Sequence, residues 1–312
     1  MPQANHDSDS ALSTDRQEAE SVLDGFPRKR VDVDGIGINL RTAGDGPPLL
    51  LLHGYPQTHV MWHQVAPTLA EHFTVVLADL RGFGDSSKPP GDEGHATYSK
   101  RALAADQVAV MEALGFTRFR VAGHDRGARV THRMCLDHPD RIEQAAVLDI
   151  VPTATVYATT DRDLATTYFH WFFLIQPNGL PEHLIGADPE RWFDHLTASG
   201  AHFTPDALNE YRRCFRDPAT IHATCEEYRA AATIDLDHDA ADAHRKITCP
   251  LLVLSGSRGF VGSHYDPVTL WRDKAVDVRG TALPSGHFLA EEAPRETTQA
   301  LLTFFTAGRE PA

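Results

Sequence analysis

Val121-Ala-Gly-His-Asp125-Arg126-Gly-Ala-Arg129-Val130 decides the fold. The residues leading into it, Phe119-Arg-Val-Ala122, read as a short apolar strand, and those after it read as a helix. A Gly-X-nucleophile-X-Gly sequence between strand and helix is the signature of a sharp, strained turn that lifts one side chain above the end of a sheet. Gly123 and Gly127 bracket Asp125, and both suit a bend where neighbouring backbone leaves no room for a Cβ. The lifted side chain is therefore a carboxylate. Attack of a carboxylate on an ester gives only an exchangeable anhydride, whereas on sp3 carbon it displaces a leaving group and forms an ester that water can open. The competing reading is a plain turn in which Asp125 caps the helix.

Outward from this turn, buried-strand patterns alternate with helical ones. Val31-Asp-Val33 and Ile36-Gly-Ile38-Asn-Leu40 flank Asp34-Gly35, a hairpin signal. Pro48-Leu-Leu-Leu-Leu52 is a continuous apolar run, as in a parallel strand covered on both faces, and ends in His53-Gly-Tyr55-Pro56. Thr74 to Leu77 gives another strand, and residues 81–90 a loop rich in Gly, Ser and Pro. Tyr98 to Leu114 has helical apolar spacing and stops at Gly115. Ile142 to Leu148 is the next strand, ending at Asp149. From Pro152 to about His244 the strand pattern vanishes and aromatic, helix-like stretches replace it, so residues 152–244 are expected to be an inserted helical cap. Residues 25–151 and 245–312 then form one core, with strands at Leu251 to Leu254 and Ala275 to Val278 and a closing helix from Pro294 to Phe305. This alternation predicts a doubly wound α/β sheet with its site at the strands' carboxyl ends.

Composition narrows the function classes. With 42% hydrophobic and 23% charged residues, the 312-residue chain can bury a large core. Its net charge of -14 argues against a nucleic-acid partner, and an anionic substrate would need positive charge supplied locally by the pocket. Cys135, Cys214, Cys225 and Cys249 show no CxxC spacing, so reduced core thiols of a cytoplasmic protein are expected, without disulfide or metal site. No apolar run is long enough for a membrane span, and residues 1–24 read as a mobile polar tail.

The chemistry-bearing residues fall at the predicted strand ends. Tyr55 follows the third strand, Asp125 the fifth and Asp149 the sixth, and His287 lies in Pro284-Ser-Gly-His287 after the last. Asp125, Asp149 and His287 thus follow the nucleophile, acid, base order of the α/β-hydrolase fold, with Asp266 as a fallback acid. Arg126 and Arg129 project from the first helical turn beside the nucleophile, where two guanidinium groups can fork a carboxylate.

On His53-Gly-Tyr-Pro-Gln-Thr-His-Val-Met-Trp62, Gly123-His-Asp-Arg-Gly-Ala-Arg129, His170-Trp171, Tyr228 and Gly286-His-Phe-Leu-Ala-Glu-Glu-Ala-Pro294, the chain resembles the haloacetate dehalogenases, which include fluoroacetate dehalogenases. The resemblance runs from Gly25 to Ala307. Ser255-Gly256 stands where the family is expected to have Trp-Gly, and residues 1–24 have no counterpart. The resemblance implies a mostly parallel eight-stranded sheet with a helical cap, a short 2-halo carboxylate as substrate, no cofactor, and a homodimer. It implies that Asp125 attacks the halogen-bearing carbon, Arg126 and Arg129 hold the carboxylate, and His170, Trp171 and Tyr228 donate to the leaving halide. His287, oriented by Asp149, would activate water, and the backbone N–H groups of Tyr55 and Arg126 would serve as oxyanion donors. An epoxide hydrolase is the runner-up, kept open by Tyr157, Tyr168 and Tyr228, although two arginines sit badly beside a neutral epoxide. A non-catalytic binding protein of the same fold would be expected to have a broken triad.

Overall fold

A computed structural model describes residues 22–197 and 202–307. Most of the predicted N-terminal tail, residues 1–21, lies outside the described residues. Leu49 to Leu52 leave no polar face and are fully buried, which places their strand, β3 (Pro48–Leu52), in the middle of the sheet. Around it stand β1 (Arg28–Val33), β2 (Ile36–Ala43), β4 (Thr74–Ala78), β5 (Phe119–His124), β6 (Ile142–Leu148), β7 (Leu251–Gly256) and β8 (Val278–Leu283). The order across this eight-stranded sheet is β1-β2-β4-β3-β5-β6-β7-β8. β1 pairs antiparallel with β2 through the Asp34-Gly35 turn, β2 pairs antiparallel with β4, and every other pairing is parallel.

Strand order reverses between β3 and β5, because the chain leaves β3 for β4 on one side and returns to β5 on the other. A crevice opens at the carboxyl ends where such a reversal occurs. Tyr55 and Asp125 follow these two strands.

One strand expectation is corrected. The last strand is Val278–Leu283 and not Ala275–Val278; Ala275 makes only an isolated bridge with Ile247. β8 lies at the edge of the sheet, and its residues from Arg279 to Ala282 are exposed, so no apolar run marks it in the sequence.

Between β6 and β7 the described residues form helices only, from Thr153 to Ala241. The elements that bear on the site are α1 (Lys100–Ala113), α2 (Arg126–Asp137), α3 (Phe169–Phe173), α4 (Pro189–Thr197), α5 (Pro218–Ala232), α6 (Ile234–Ala241) and α7 (Leu289–Glu292). α5 starts with Pro218 in its first turn, and the Asp217 side chain accepts from the Ala219 N–H, satisfying one of the free donors at the helix start. Its buried residues include Glu226, Glu227 and Tyr228, so this helix carries charge into the interior.

Candidate active site

Asp125 occupies the turn between β5 and α2 at φ 44°, ψ -111°, a conformation that costs a non-glycine residue energy and is held by its surroundings. A Cβ on Gly127 would sit 2.5 Å from the His53 carbonyl, and one on Gly123 would collide with Gly127. Asp125 stands at the helix start, yet its carboxylate makes no capping bond there. Instead Oδ2 accepts the backbone N–H of Tyr55 at 3.0 Å. The Arg126 backbone N–H makes no such bond among the described residues. Burial pushes the Asp125 carboxyl up, but the neighbouring charges, those of His287 and Arg126 first and then Arg129, outweigh it and hold the group well below the usual carboxylate range. The Asp125 carboxylate is desolvated and still ionised.

His287 Nδ1 donates to Asp149 Oδ2 at 2.7 Å, and Asp149 Oδ1 accepts the Gly256 N–H at 2.8 Å. Burial alone would lower the His287 pKa, but the hydrogen bond and charge of Asp149 raise it above 6.5. Burial raises Asp149, against the opposing pull of His287. The fallback acid, Asp266, is exposed and accepts the Thr269 N–H at 3.0 Å as the cap of a short helix. It is not among the residues that line the cavity, and it is Asp149 that bonds His287.

Asp125, Asp149 and His287 line a cavity of about 440 Å³ together with Tyr55 and Arg129. His170, Trp171 and Tyr228 line the same cavity from the inserted helices. The ring centre of Tyr228 lies 5.8 Å from His170 and 5.9 Å from Trp171. Burial lowers the His170 imidazole to about 3, so it is neutral and offers one N–H. The structure therefore brings His170, Trp171 and Tyr228 to the cavity that Asp125, Asp149 and His287 also line.

The two arginines are not equivalent. Arg126 is fully buried, is not among the cavity-lining residues, and pairs through Nη2 with Glu227 Oε2 at 2.5 Å. Its guanidinium lies 4.1 Å from the ring centre of Tyr228. Arg129 does line the cavity, and its Nη1 donates to the Val151 carbonyl at 3.1 Å and to Thr153 Oγ1 at 2.9 Å. Among the described residues no acidic side chain forms an ion pair with it.

A family model described as alpha/beta hydrolase fold matches residues 47–277. The chain is 47% identical to a fluoroacetate dehalogenase from Burkholderia sp over 92% of this chain and 96% of that protein. The chain belongs to the haloacetate dehalogenase family of α/β hydrolases. It is also 33% identical to a soluble epoxide hydrolase from Corynebacterium sp. (strain C12), over 88% of this chain and 95% of that protein. An α/β-hydrolase-fold protein from Nostoc sp PCC 7120 superposes with a TM-score of 0.90 at 57% identity, covering 91% of this chain and 99% of that one.

Against the family pattern, sequence reasoning missed the partners behind the site. Glu227 also pairs with Lys100 Nζ, which bonds in turn to Asp235 Oδ2 at 3.2 Å, so charges from α2, α5, α1 and α6 form one buried chain. The signal was present as two consecutive glutamates between Cys225 and Tyr228, Cys225-Glu-Glu-Tyr228, in a helix rich in alanine. Tyr168 was weighed only for epoxide chemistry, yet it lines the cavity and stacks on Trp171 with ring centres 6.1 Å apart.

Proposed function

We propose that the chain hydrolyses the carbon–halogen bond of short 2-halo carboxylates, turning a haloacetate into glycolate and halide. The observation that carries this reading is Arg129, a buried cation on the cavity wall without an acidic partner among the described residues, beside an ionised Asp125. A substrate carboxylate completes that pair, and charge-assisted bonds to a guanidinium are strong and directional. With the carboxylate held, an Asp125 oxygen attacks the α-carbon, the carbon–halogen bond breaks, and the halide leaves with its electron pair. His170, Trp171 and Tyr228 supply N–H and O–H donors where that negative charge develops.

The second step opens the aspartyl ester. His287 Nε2 takes a proton from water, the water oxygen attacks Asp125 Cγ, and the bond from Cγ to the ester oxygen breaks. The proton passes from His287 to the departing glycolate oxygen, and the acid left on Asp125 releases the second water proton to solvent, which restores the carboxylate. The Tyr55 N–H is placed to stabilise the oxyanion formed on Asp125 in this step.

Epoxide hydrolysis is the second reading, favoured by the presence of both Tyr168 and Tyr228 on the cavity wall, where two phenols could protonate an epoxide oxygen. Incubation with fluoroacetate, chloroacetate and styrene oxide, with halide and diol measured separately, divides the two. Halide release from the haloacids is expected; diol without halide would establish the second reading in its place.

A further inference from the structure

His124, the residue before the nucleophile, takes no part in the chemistry above, yet it is fully buried against the base. Its Nε2 lies 2.8 Å from the His287 carbonyl oxygen, and the two rings are 4.7 Å apart. A carbonyl only accepts, so Nε2 carries the proton, and Nδ1 is a lone-pair nitrogen without a hydrogen-bond partner among the described residues. Burial, reinforced by the charge of His287, lowers the His124 pKa to about 3, so this donor does not change state when His287 takes up a proton.

His287 needs such support because it sits on a loop between β8 and α7, outside the hydrogen-bonded ladder of the sheet. A side chain on a loop keeps a fixed aim only if its backbone is held. Glu292 holds the flanks of this loop, accepting the Gly286 N–H at 2.7 Å and the Phe288 N–H at 3.1 Å. The carbonyl of His287 itself accepts two donors, the His124 Nε2–H at 2.8 Å and the adjacent Leu289 N–H at 3.1 Å, and of these only His124 reaches it from the sheet. Because His124 belongs to β5, paired in register with Leu148 of β6, its hydrogen bond ties the base to the rigid strand that carries the nucleophile.

We propose that His124 is a positioning residue for the second half-reaction: its Nε2–H anchors the His287 carbonyl so that the imidazole stays aimed at the ester on Asp125. The proposal rests on the reading of Asp125 as nucleophile and His287 as base. It is selective for one step because alkylation needs Asp125, which the turn and the Tyr55 N–H position, whereas ester hydrolysis needs the base. Misplacing a reacting group by about 1 Å costs on the order of 100-fold.

The test is single-turnover reaction of the full chain with chloroacetate in His124→Leu, His124→Gln and His124→Asn. Chloride release and the intact mass of the covalent ester are followed separately. In His124→Leu the ester should form at close to the wild-type rate and persist, with hydrolysis slowed about 10- to 100-fold. His124→Gln, whose amide N–H has similar reach, should restore hydrolysis, and His124→Asn, one methylene shorter, should not. If His124→Leu does not fold, the Gln and Asn pair decides the matter. Equal loss in both steps, no loss in either, or identical behaviour of Gln and Asn overturns the role. Absence of any ester on Asp125 in both wild type and His287→Asn would instead overturn the functional reading, and this role with it.

Discussion

At the sheet edge, Asp125, Asp149 and His287 are held by backbone constraint and by short polar bonds: a strained turn, the Tyr55 N–H at 3.0 Å, the Gly256 N–H at 2.8 Å and an Asp149–His287 bond of 2.7 Å. Over the same cavity, His170, Trp171 and Tyr228 are held mainly by ring packing, with centres 5.8 and 5.9 Å apart, and by the cation of Arg126 beneath the Tyr228 ring. Backbone geometry leaves a side chain little freedom, whereas ring packing tolerates small shifts at modest cost. In the proposed reaction the groups that make and break bonds thus stand on the rigid side, and those that would meet the leaving group stand on the adaptable side.

The largest expected effect tests the rigid side. Asp125→Asn keeps the turn but removes the nucleophile, so halide release should fall by at least about 10⁴-fold with little change in thermal stability. Turnover within tenfold of wild type would place the reacting group elsewhere.

The two arginines, both over the Trp171 ring, come next. Arg129→Met removes the cavity-facing cation, and losing one member of a buried ion pair costs about 2 to 5 kcal/mol, so kcat/KM for chloroacetate should fall roughly 30-fold or more. Arg126→Met should be read first in stability. It leaves the fully buried Glu227 with Lys100 alone, a loss of about 3 to 5 kcal/mol in chemical denaturation. Equal kinetic loss with unchanged stability in both variants would erase the distinction drawn between them.

A smaller effect isolates the adaptable side. Trp171→Phe keeps an aromatic ring and deletes one donor worth about 1.5 to 3 kcal/mol to a developing anion, so fluoroacetate turnover should fall roughly 10- to 150-fold. Chloroacetate should lose less, because chloride gains less from a strong donor. An unchanged ratio of the two rates would leave Trp171 with a packing role only.

The smallest is a shift along the pH axis. His287 must be neutral to accept a proton from water, and Asp149 raises its pKa, so hydrolysis is lost as pH falls through a value above 6.5. Removing the negative charge in Asp149→Asn should move that acid limb to lower pH while reducing the plateau. A limb that stays in place would mean that Asp149 does not set the protonation of the base.

Much of the core was legible because its signals are local. The buried run at Leu49 to Leu52 and the glycines around Asp125 depend on neighbours a few residues away, and the Asp125, Asp149, His287 order follows from the strands they end. β8 was misplaced because an edge strand need not be apolar, and its exposed residues carry no alternation to read. His124 lay inside the most informative stretch of the chain and drew no attention, since its partner is a backbone carbonyl 163 residues away.

What the sequence determined alone is a carboxylate in a glycine-bracketed turn between strand and helix, and two cations three residues apart on the helical turn beside it. Which cation faces the cavity was decided only by tertiary structure. Arg126 and Arg129 are alike to any local reading, but the inserted helix α5 brings Glu227 against Arg126 from 101 residues away. That contact neutralises one guanidinium beneath Tyr228 and leaves the other to the cavity. The physical reason is that a charge's role in a buried site depends on what compensates it, and the compensating group here arrives through packing of distant helices.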